Sequence, residues 1–365
     1  MQPSRGPIWA ALSGGVDSAT AAALLVERGF QVQAVFMELW DCGLVKRSGR
    51  ITCCSPKDRA DAMEVADRLG VPFRSVDLRK PFRDLVIREF VDSYVAGQTP
   101  NPCIRCNQWI KYGVLLEMAL NAGAQGLATG HYARVVRARE AEPFRLLRGE
   151  DPSKDQSYFL FPLGQRELSK VIWPLGNMRK DSVRRLSAKW GLPVARKKES
   201  QEVCFIAGGD YREFVASYLG KWSDNPGRIV DERGNTLGAH GGVLGFTVGQ
   251  RRGLGIPWRE PLYVLQLVPE EGLVVVGPRE RTFSRGLEAS NASWVAGEPP
   301  GESFRAHAQI RYRHRGALAE VETMPGDRFR LTFHEPQPSV APGQAVVLYR
   351  GEEVIGGGWI REALR

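Results

Sequence analysis

Apolar positions in the first two hundred residues recur in two alternating styles. Short runs are one: Ile8–Leu12, then Gln31 to Met37, where Val32, Ala34 and Phe36 alternate with their neighbours. Pro72 to Val76 and Gly126 to Thr129 repeat that style. Such runs predict strands. Between them lie longer stretches with apolar residues every three or four positions. These predict helices from Val16 to Arg28, Asp58 to Leu69, Pro81 to Ala96 and Trp109 to Ala122. Gly29, Gly70 and Gly123 close three of them. Strands alternating with helices of this length predict an α/β fold, a parallel sheet with helices on both faces.

The pattern changes near residue 200. Tyr211 to Leu219 reads as one short helix. Beyond Pro226 come short β runs broken by Gly and Pro: Arg228 to Val230, Val243 to Thr247, Tyr263 to Val268 and Leu273 to Val276. The same style continues through Phe304 to Tyr312, Ala319 to Glu322, Arg328 to Phe333, Ala345 to Tyr349 and Glu353 to Trp359. Many short strands without helices predict small barrels or sandwiches. The expected division is 1–208, 209–285 and 286–365.

Length and composition fit that picture. The chain has 365 residues, 43% hydrophobic and 25% charged, ordinary for a folded protein of two or three domains. No apolar run reaches the roughly 18 residues of a membrane span, and Ile8–Leu12 ends in Ser-Gly-Gly, unlike a secretory leader. We therefore expect no membrane partner and a cytoplasmic location. The net charge of +9 is unevenly spread. Residues 134–200 hold 16 Lys+Arg against 8 Asp+Glu, whereas 288–365 hold 9 against 10. A basic middle on a neutral remainder suits a polyanion, or is a solvated basic face. The run Arg196-Lys197-Lys198 could belong to either.

The densest chemical signal is Ser13-Gly14-Gly15-Val16-Asp17-Ser18, between the first strand and its helix. The glycines allow a tight turn and close approach of a ligand. The helix start offers unpaired N–H groups and partial positive charge, a phosphate site. Ser13 and Ser18 would add hydroxyl donors. Asp17 would repel a bare phosphate, so its expected role is to hold Mg²⁺ bridging to pyrophosphate. The string is not a Walker loop. It resembles the PP-loop of ATP-pyrophosphatases, which cleave ATP between the α- and β-phosphates and adenylate a substrate.

The six cysteines are Cys42, Cys53, Cys54, Cys103, Cys106 and Cys204. In a reducing compartment they would be buried, reactive or metal-bound rather than paired. Cys103 and Cys106 sit in Thr99-Pro100-Asn101-Pro102-Cys103-Ile104-Arg105-Cys106-Asn107. A thiolate is a strong nucleophile and can carry a persulfide sulfur. Cys204, before Phe205-Ile206, could equally be a core residue.

Several strings occur in one order: SGGVDS, TPNPxxxCN with Lys111-Tyr112, ATGHYAR (128–134), KDQSYFL (154–160), CFI (204–206), GQRRGLG (249–255), Arg311-Tyr312-Arg313 and Pro342-Gly343-Gln344. Together they resemble the bacterial tRNA 2-thiouridylase family, over almost the whole chain. The resemblance implies an N-terminal parallel-sheet PP-loop domain, two small mostly-β domains, the last a β-barrel, and ATP-dependent 2-thiolation of a wobble uridine. It implies that Cys106 is catalytic and Cys204 receives persulfide sulfur from a donor protein. Ala11, Leu12, Ser13, Gly14, Gly15, Val16, Asp17, Ser18, Met37 and Gly130 would bind ATP. Asn101, Pro102 and Cys103 would flank the target base of the tRNA anticodon stem-loop. His131, Lys154, Asp155, Gln156, Arg311, Tyr312 and Gln344 would touch tRNA.

One departure matters. Many family members have Asp where this chain has Cys103. Cys103, Cys106 and Cys204 could then hold a [4Fe–4S] cluster, or Cys103 could be a resolving thiol or bystander in a persulfide route. Zinc on Cys53, Cys54, Cys103 and Cys106 is a third option, at unusual spacing. Cys42 reads as structural, as do His240, His307, His314 and His334. Tyr158, Phe159 and Phe161 read as core or as base-stacking groups. Two other functions stay open: a PP-loop ligase or amidotransferase acting on a small molecule, and a non-catalytic RNA-binding protein.

Overall fold

The structure, a computed structural model, describes residues 6–40, 56–198, 203–206, 210–220 and 226–365. Its first sheet is five-stranded and parallel. The strands are β1 (Ile8–Leu12), β2 (Val32–Glu38), β3 (Phe73–Asp77), β4 (Gly126–Ala128) and β7 (Val171–Ile172), in spatial order β3-β2-β1-β4-β7. β1 is buried throughout, as expected of a strand covered on both faces. One apolar cluster lies on each side of the sheet.

The helices follow from the periodic stretches. α1 (Val16–Glu27) is Ala-rich and packs closely between the sheet and α8 (Lys180–Lys189). α2 is Pro56–Leu69. The predicted helix from Pro81 to Ala96 is three continuous pieces: α3 (Arg79–Phe82), a π-helical segment Arg83–Ile87, and α4 (Arg88–Val95). The predicted helix from Trp109 starts earlier. Asn101 caps α5 (Pro102–Arg105) by accepting from the Ile104 N–H, a ten-residue π-helical segment Cys106–Leu115 follows, and α6 (Leu116–Asn121) ends it. Among the described residues, α7 (Gln165–Leu168) and α9 (Tyr211–Leu219) complete the α-helices.

A second sheet has the order β10-β11-β8-β9, from Tyr263–Val268, Leu273–Gly277, Gly227–Val230 and Thr236–His240. Its apolar side includes Ile229, Val243, Phe246, Val264 and Val274. The strand expected from Val243 to Thr247 is instead a 3₁₀ turn, Val243–Gly245. Val243 and Phe246, three apart, both face this core, which suits a three-residue period and not a strand.

The last sheet closes on itself. β12 (Phe283–Trp294), β15 (Arg328–Pro338), β14 (Ala317–Met324), β13 (Ser303–Gln309), β16 (Ala345–Arg350) and β17 (Glu353–Leu364) form a six-stranded barrel sealed by β12–β17 pairing. Gly356 and Gly357 fit here because a Cβ would meet carbonyl oxygens at 2.3 and 2.4 Å. The hairpin β5 (Ala133–Val136) and β6 (Arg145–Arg148), unforeseen in the sequence, extends this sheet: Leu146 and Leu147 pair with Val354 and Glu353. Arg145–Glu353 and Arg134–Glu352 ion pairs flank the junction, both 2.7 Å. Phe161, Tyr158, Tyr349 and Trp359 share one core with the first sheet. The barrel is thus built into the parallel-sheet region.

Candidate active site

In the first sheet β2 and β4 flank β1 on opposite sides, so the chain leaves β1 at a switch point where open α/β sheets bind ligands. Two loops meet there: Ser13–Gly15 after β1 and Thr129–His131 after β4. Gly14 takes φ +69°, and a Cβ on it would meet the Asp58 carbonyl oxygen at 2.5 Å. Gly15 is the N-cap of α1. A Cβ on Gly130 would lie 2.7 Å from the Asp17 and Ser18 backbone. Its glycine is therefore accounted for by close packing. Ala11 and Val16 are core residues.

Two expected ligand groups, Ser18 and Asp17, and Lys197 of the basic run make hydrogen bonds inside the protein. Ser18 Oγ donates to the Gly15 carbonyl (3.1 Å) and accepts from the Ser13 N–H (3.1 Å), so its hydroxyl closes the loop. The Asp17 carboxylate receives Lys180 Nζ at 2.7 and 2.8 Å and Tyr132 OH at 2.7 Å. Lys197 Nζ donates to the Gly14 carbonyl (2.9 Å), Asp58 (2.6 Å) and Asp61 (2.5 Å). The Lys197 ammonium is thus held within the protein rather than simply solvated. All three ammonium protons have acceptors, and the ion clamps the phosphate loop to α2.

From this loop a cavity of about 1160 Å³ runs to the barrel. Leu12, Ser13, Asp17 and Met37 line one end; Pro102, Cys103, Cys106 and Cys204 line it with Lys111 and His131; Lys154, Asp155, Gln156 and Tyr312 also contribute. Cys103 is exposed, Cys204 half-buried and Cys106 buried, and all three are thiols. Burial pushes the Cys106 thiol above its ordinary pKa, while the charge of Lys111 pulls it down. Asn107, beside Cys106, is buried; Nδ2 donates to the Phe159 carbonyl, and Oδ1 has no partner.

His131 is buried among hydroxyls. Its Nδ1 lies 2.8 Å from Tyr112 OH and 2.7 Å from Thr129 Oγ1, and those hydroxyls are 2.8 Å apart. Trp173 Nε1 donates to the Tyr112 oxygen (2.7 Å). Both hydroxyl protons find acceptors in this set only if Nδ1 accepts, so donor counting assigns the ring proton to Nε2. Burial, helped by Lys111, pushes the His131 pKa well below its usual value and keeps the ring neutral.

Other residues expected to touch tRNA also bond within the chain. Asp155 is buried and accepts from Arg148 Nη1 (2.7 Å), the Gly149 and Ser157 N–H groups and Ser157 Oγ (each 3.0 Å). Arg148 also donates to Gln309 (3.1 Å) and stacks 3.6 Å from the Tyr349 ring. Gln156 accepts from the Tyr132 N–H, and Arg311 donates to the Pro338 carbonyl. Gln344 Nε2 donates to the Thr99 carbonyl (2.9 Å), tying the barrel to the approach of Asn101. Tyr312 is half-exposed and leans on Phe159, ring centroids 4.5 Å apart; Tyr158 and Phe161 are core. His307 and His314, expected to be structural only, line the cavity.

Metals can be tested against these donors. Among the described residues no three His, Cys, Asp or Glu side chains converge to hold an ion. Cys103, Cys106 and Cys204 line one cavity as thiols that do not converge on a single ion. The Asp17 carboxylate is paired with Lys180. Cys42, Cys53 and Cys54, and with the last two the zinc option, lie outside the described residues.

Known proteins match this architecture in three parts. The model described as tRNA methyl transferase HUP domain covers residues 7–208. A tRNA methyl transferase PRC-barrel domain covers 212–278, and an aminomethyltransferase beta-barrel domain 284–360. The tRNA-specific 2-thiouridylase MnmA of Geobacter metallireducens is 47% identical over 100% of this chain and 99% of its own length. The chain belongs to the tRNA-specific 2-thiouridylase family. A second 2-thiouridylase, from Geotalea uraniireducens, is 47% identical over 97% of this chain and 94% of its own. A 4-thiouridine synthetase solved with RNA and ATP aligns over 55% of this chain and 45% of its own, at 18% identity and TM-score 0.34, too distant to bear on chemistry. The 2-thiouridylase name, rather than the methyl transferase description, suits a cavity lined by three thiols. Among the described residues no helix is long and apolar enough to cross a membrane.

Proposed function

We propose that this chain converts a tRNA uridine to 2-thiouridine at the expense of ATP, the target being the wobble position. The observation that carries the reading is one continuous cavity joining Ser13 and Asp17 of the phosphate loop to Cys103, Cys106 and Cys204. Residues 1–208 would bind ATP and do the chemistry; 209–285 and 286–365 would grip the tRNA.

ATP enters as substrate, its phosphates on the N–H groups at the start of α1. The uracil C2 oxygen attacks the α-phosphorus, the bond to pyrophosphate breaks, and the oxygen becomes part of an adenylate. This step is needed because a carbonyl oxygen is a poor leaving group. A persulfide on Cys204, loaded by a donor protein, adds its terminal sulfur to C2, and AMP departs with the oxygen. The Cys106 thiolate then attacks the Cys204 sulfur. A Cys106–Cys204 disulfide forms, the transferred sulfur takes the electron pair, and 2-thiouridine is released. An external thiol returns both cysteines to the reduced state, which suits a cytoplasmic setting. The target base must leave its stack, which an anticodon loop permits cheaply. Asn101, Pro102 and Tyr312 are suited to meet that loop.

The test is nucleoside mass spectrometry of tRNA incubated with ATP, a persulfide donor and either wild type, Cys106→Ser or Cys204→Ser. Each serine variant is expected to lose thiolation at least about 100-fold while still releasing pyrophosphate. Wild-type rates from both variants would sink the reading.

A further inference from the structure

Cys106 opens the π-helical segment Cys106–Leu115. A π-helix is closed by bonds from residue i to i+5, so residue 111 lies over residue 106. In an α-helix the same two positions would diverge by roughly 140° around the axis. The π register therefore brings Lys111 to the side of the segment that carries Cys106, and both line the cavity. Among the described residues no hydrogen bond or ion pair engages the Lys111 ammonium. The thiol has little water to stabilise a negative charge, since Cys106 is 8% exposed.

The neighbouring groups do not supply that charge balance. Tyr112, from the same segment, has its hydroxyl proton held well above neutrality by burial. His131, from the loop after β4, is neutral. Cys103 and Cys204 are thiols that can add only negative charge. Lys180, from α8, is paired with Asp17, and Arg148 with Asp155. Lys154, Arg313 and Arg315 also line the cavity, but of these cations only Lys111 acts on the Cys106 charge.

We propose that Lys111 is the cation that stabilises the Cys106 thiolate, held over it by the π register. The inference rests on Cys106 acting as a thiolate, as in the function above. It makes Lys111 a positioning and charge-balancing residue for the sulfur-transfer half of the reaction, with no part in ATP cleavage.

The test reads the thiol directly. Alkylation of Cys106 by iodoacetamide is followed by mass spectrometry across pH 7–11 in the full chain, without ATP or tRNA. Lys111→Met should move the midpoint up by more than one pH unit, cutting alkylation at neutral pH at least about tenfold. Lys111→Arg should restore the wild-type midpoint. Lys111→Gln gives the same reading should the methionine variant fail to fold. An unchanged midpoint in both neutral variants overturns the proposal. Because no substrate is present, a protein that behaves as expected here yet never thiolates tRNA would refute the functional reading alone.

Discussion

At His131, burial and two hydroxyl neighbours keep the imidazole neutral. The unfolded chain has no such restraint and takes up a proton near pH 6.5. As pH falls through that value the unfolded state gains a proton that the folded state refuses, so stability is present above it and lost below. Urea unfolding of wild type should therefore weaken from pH 7.5 to 5.5. His131→Gln should lose about 1 kcal/mol less over that window. Equal losses would mean that the ring is protonated in the fold. The neutral ring also has a chemical meaning. A fixed Nε2–H can donate to an oxygen in the cavity but cannot act as a general base through that nitrogen. The sequence already pointed to His131, since it follows a strand end in a glycine turn. It could not reveal the tautomer, which depends on Tyr112, Thr129 and Trp173.

Elements decide which residues meet. The Lys197 clamp joins the loop after β1 to the start of α2 through three bonds to one ammonium. Lys197→Met should raise the KM for ATP in pyrophosphate release several-fold and leave tRNA affinity and its salt dependence unchanged. Weakened, less salt-sensitive tRNA binding with an unaltered KM for ATP would restore Lys197 to the tRNA surface. This contact shows where sequence reading stops. Ser13–Ser18 and Asn101–Asn107 were legible because their chemistry is contiguous in the chain. Lys197 was not, because its partners Gly14, Asp58 and Asp61 are far away in sequence and a basic run looks the same whether clamped or solvated. The relation of Lys111 to Cys106 was hidden for another reason: the expected helix has α periodicity, and the π register of Cys106–Leu115 leaves no mark in the hydrophobic pattern. The missed β5–β6 hairpin carries arginines at Arg134, Arg145 and Arg148, and the strand that completes its pairing is near the C-terminus.

Across the whole molecule the α/β half and the barrel share a core and a sheet. Arg148, between Asp155 and Gln309 over the Tyr349 ring, is the polar centre of that junction. Arg148→Met would leave Asp155 a buried carboxylate with only neutral donors. A loss of about 3–5 kcal/mol is expected, read as a lower urea midpoint in one cooperative transition. Two separate transitions in wild type would instead show that the halves unfold independently.

The β6–β17 pairing also bears on how the chain is made. Leu146 and Leu147 leave the ribosome about two hundred residues before Val354 and Glu353, the partners that cover them. At about 5–20 residues per second, the hairpin waits on the order of ten seconds or more with an open edge. Throughout that interval the nascent chain carries an unpaired strand able to recruit another. Charged arginines on an edge strand disfavour pairing with another chain, and arrival of β17 covers the β6 edge.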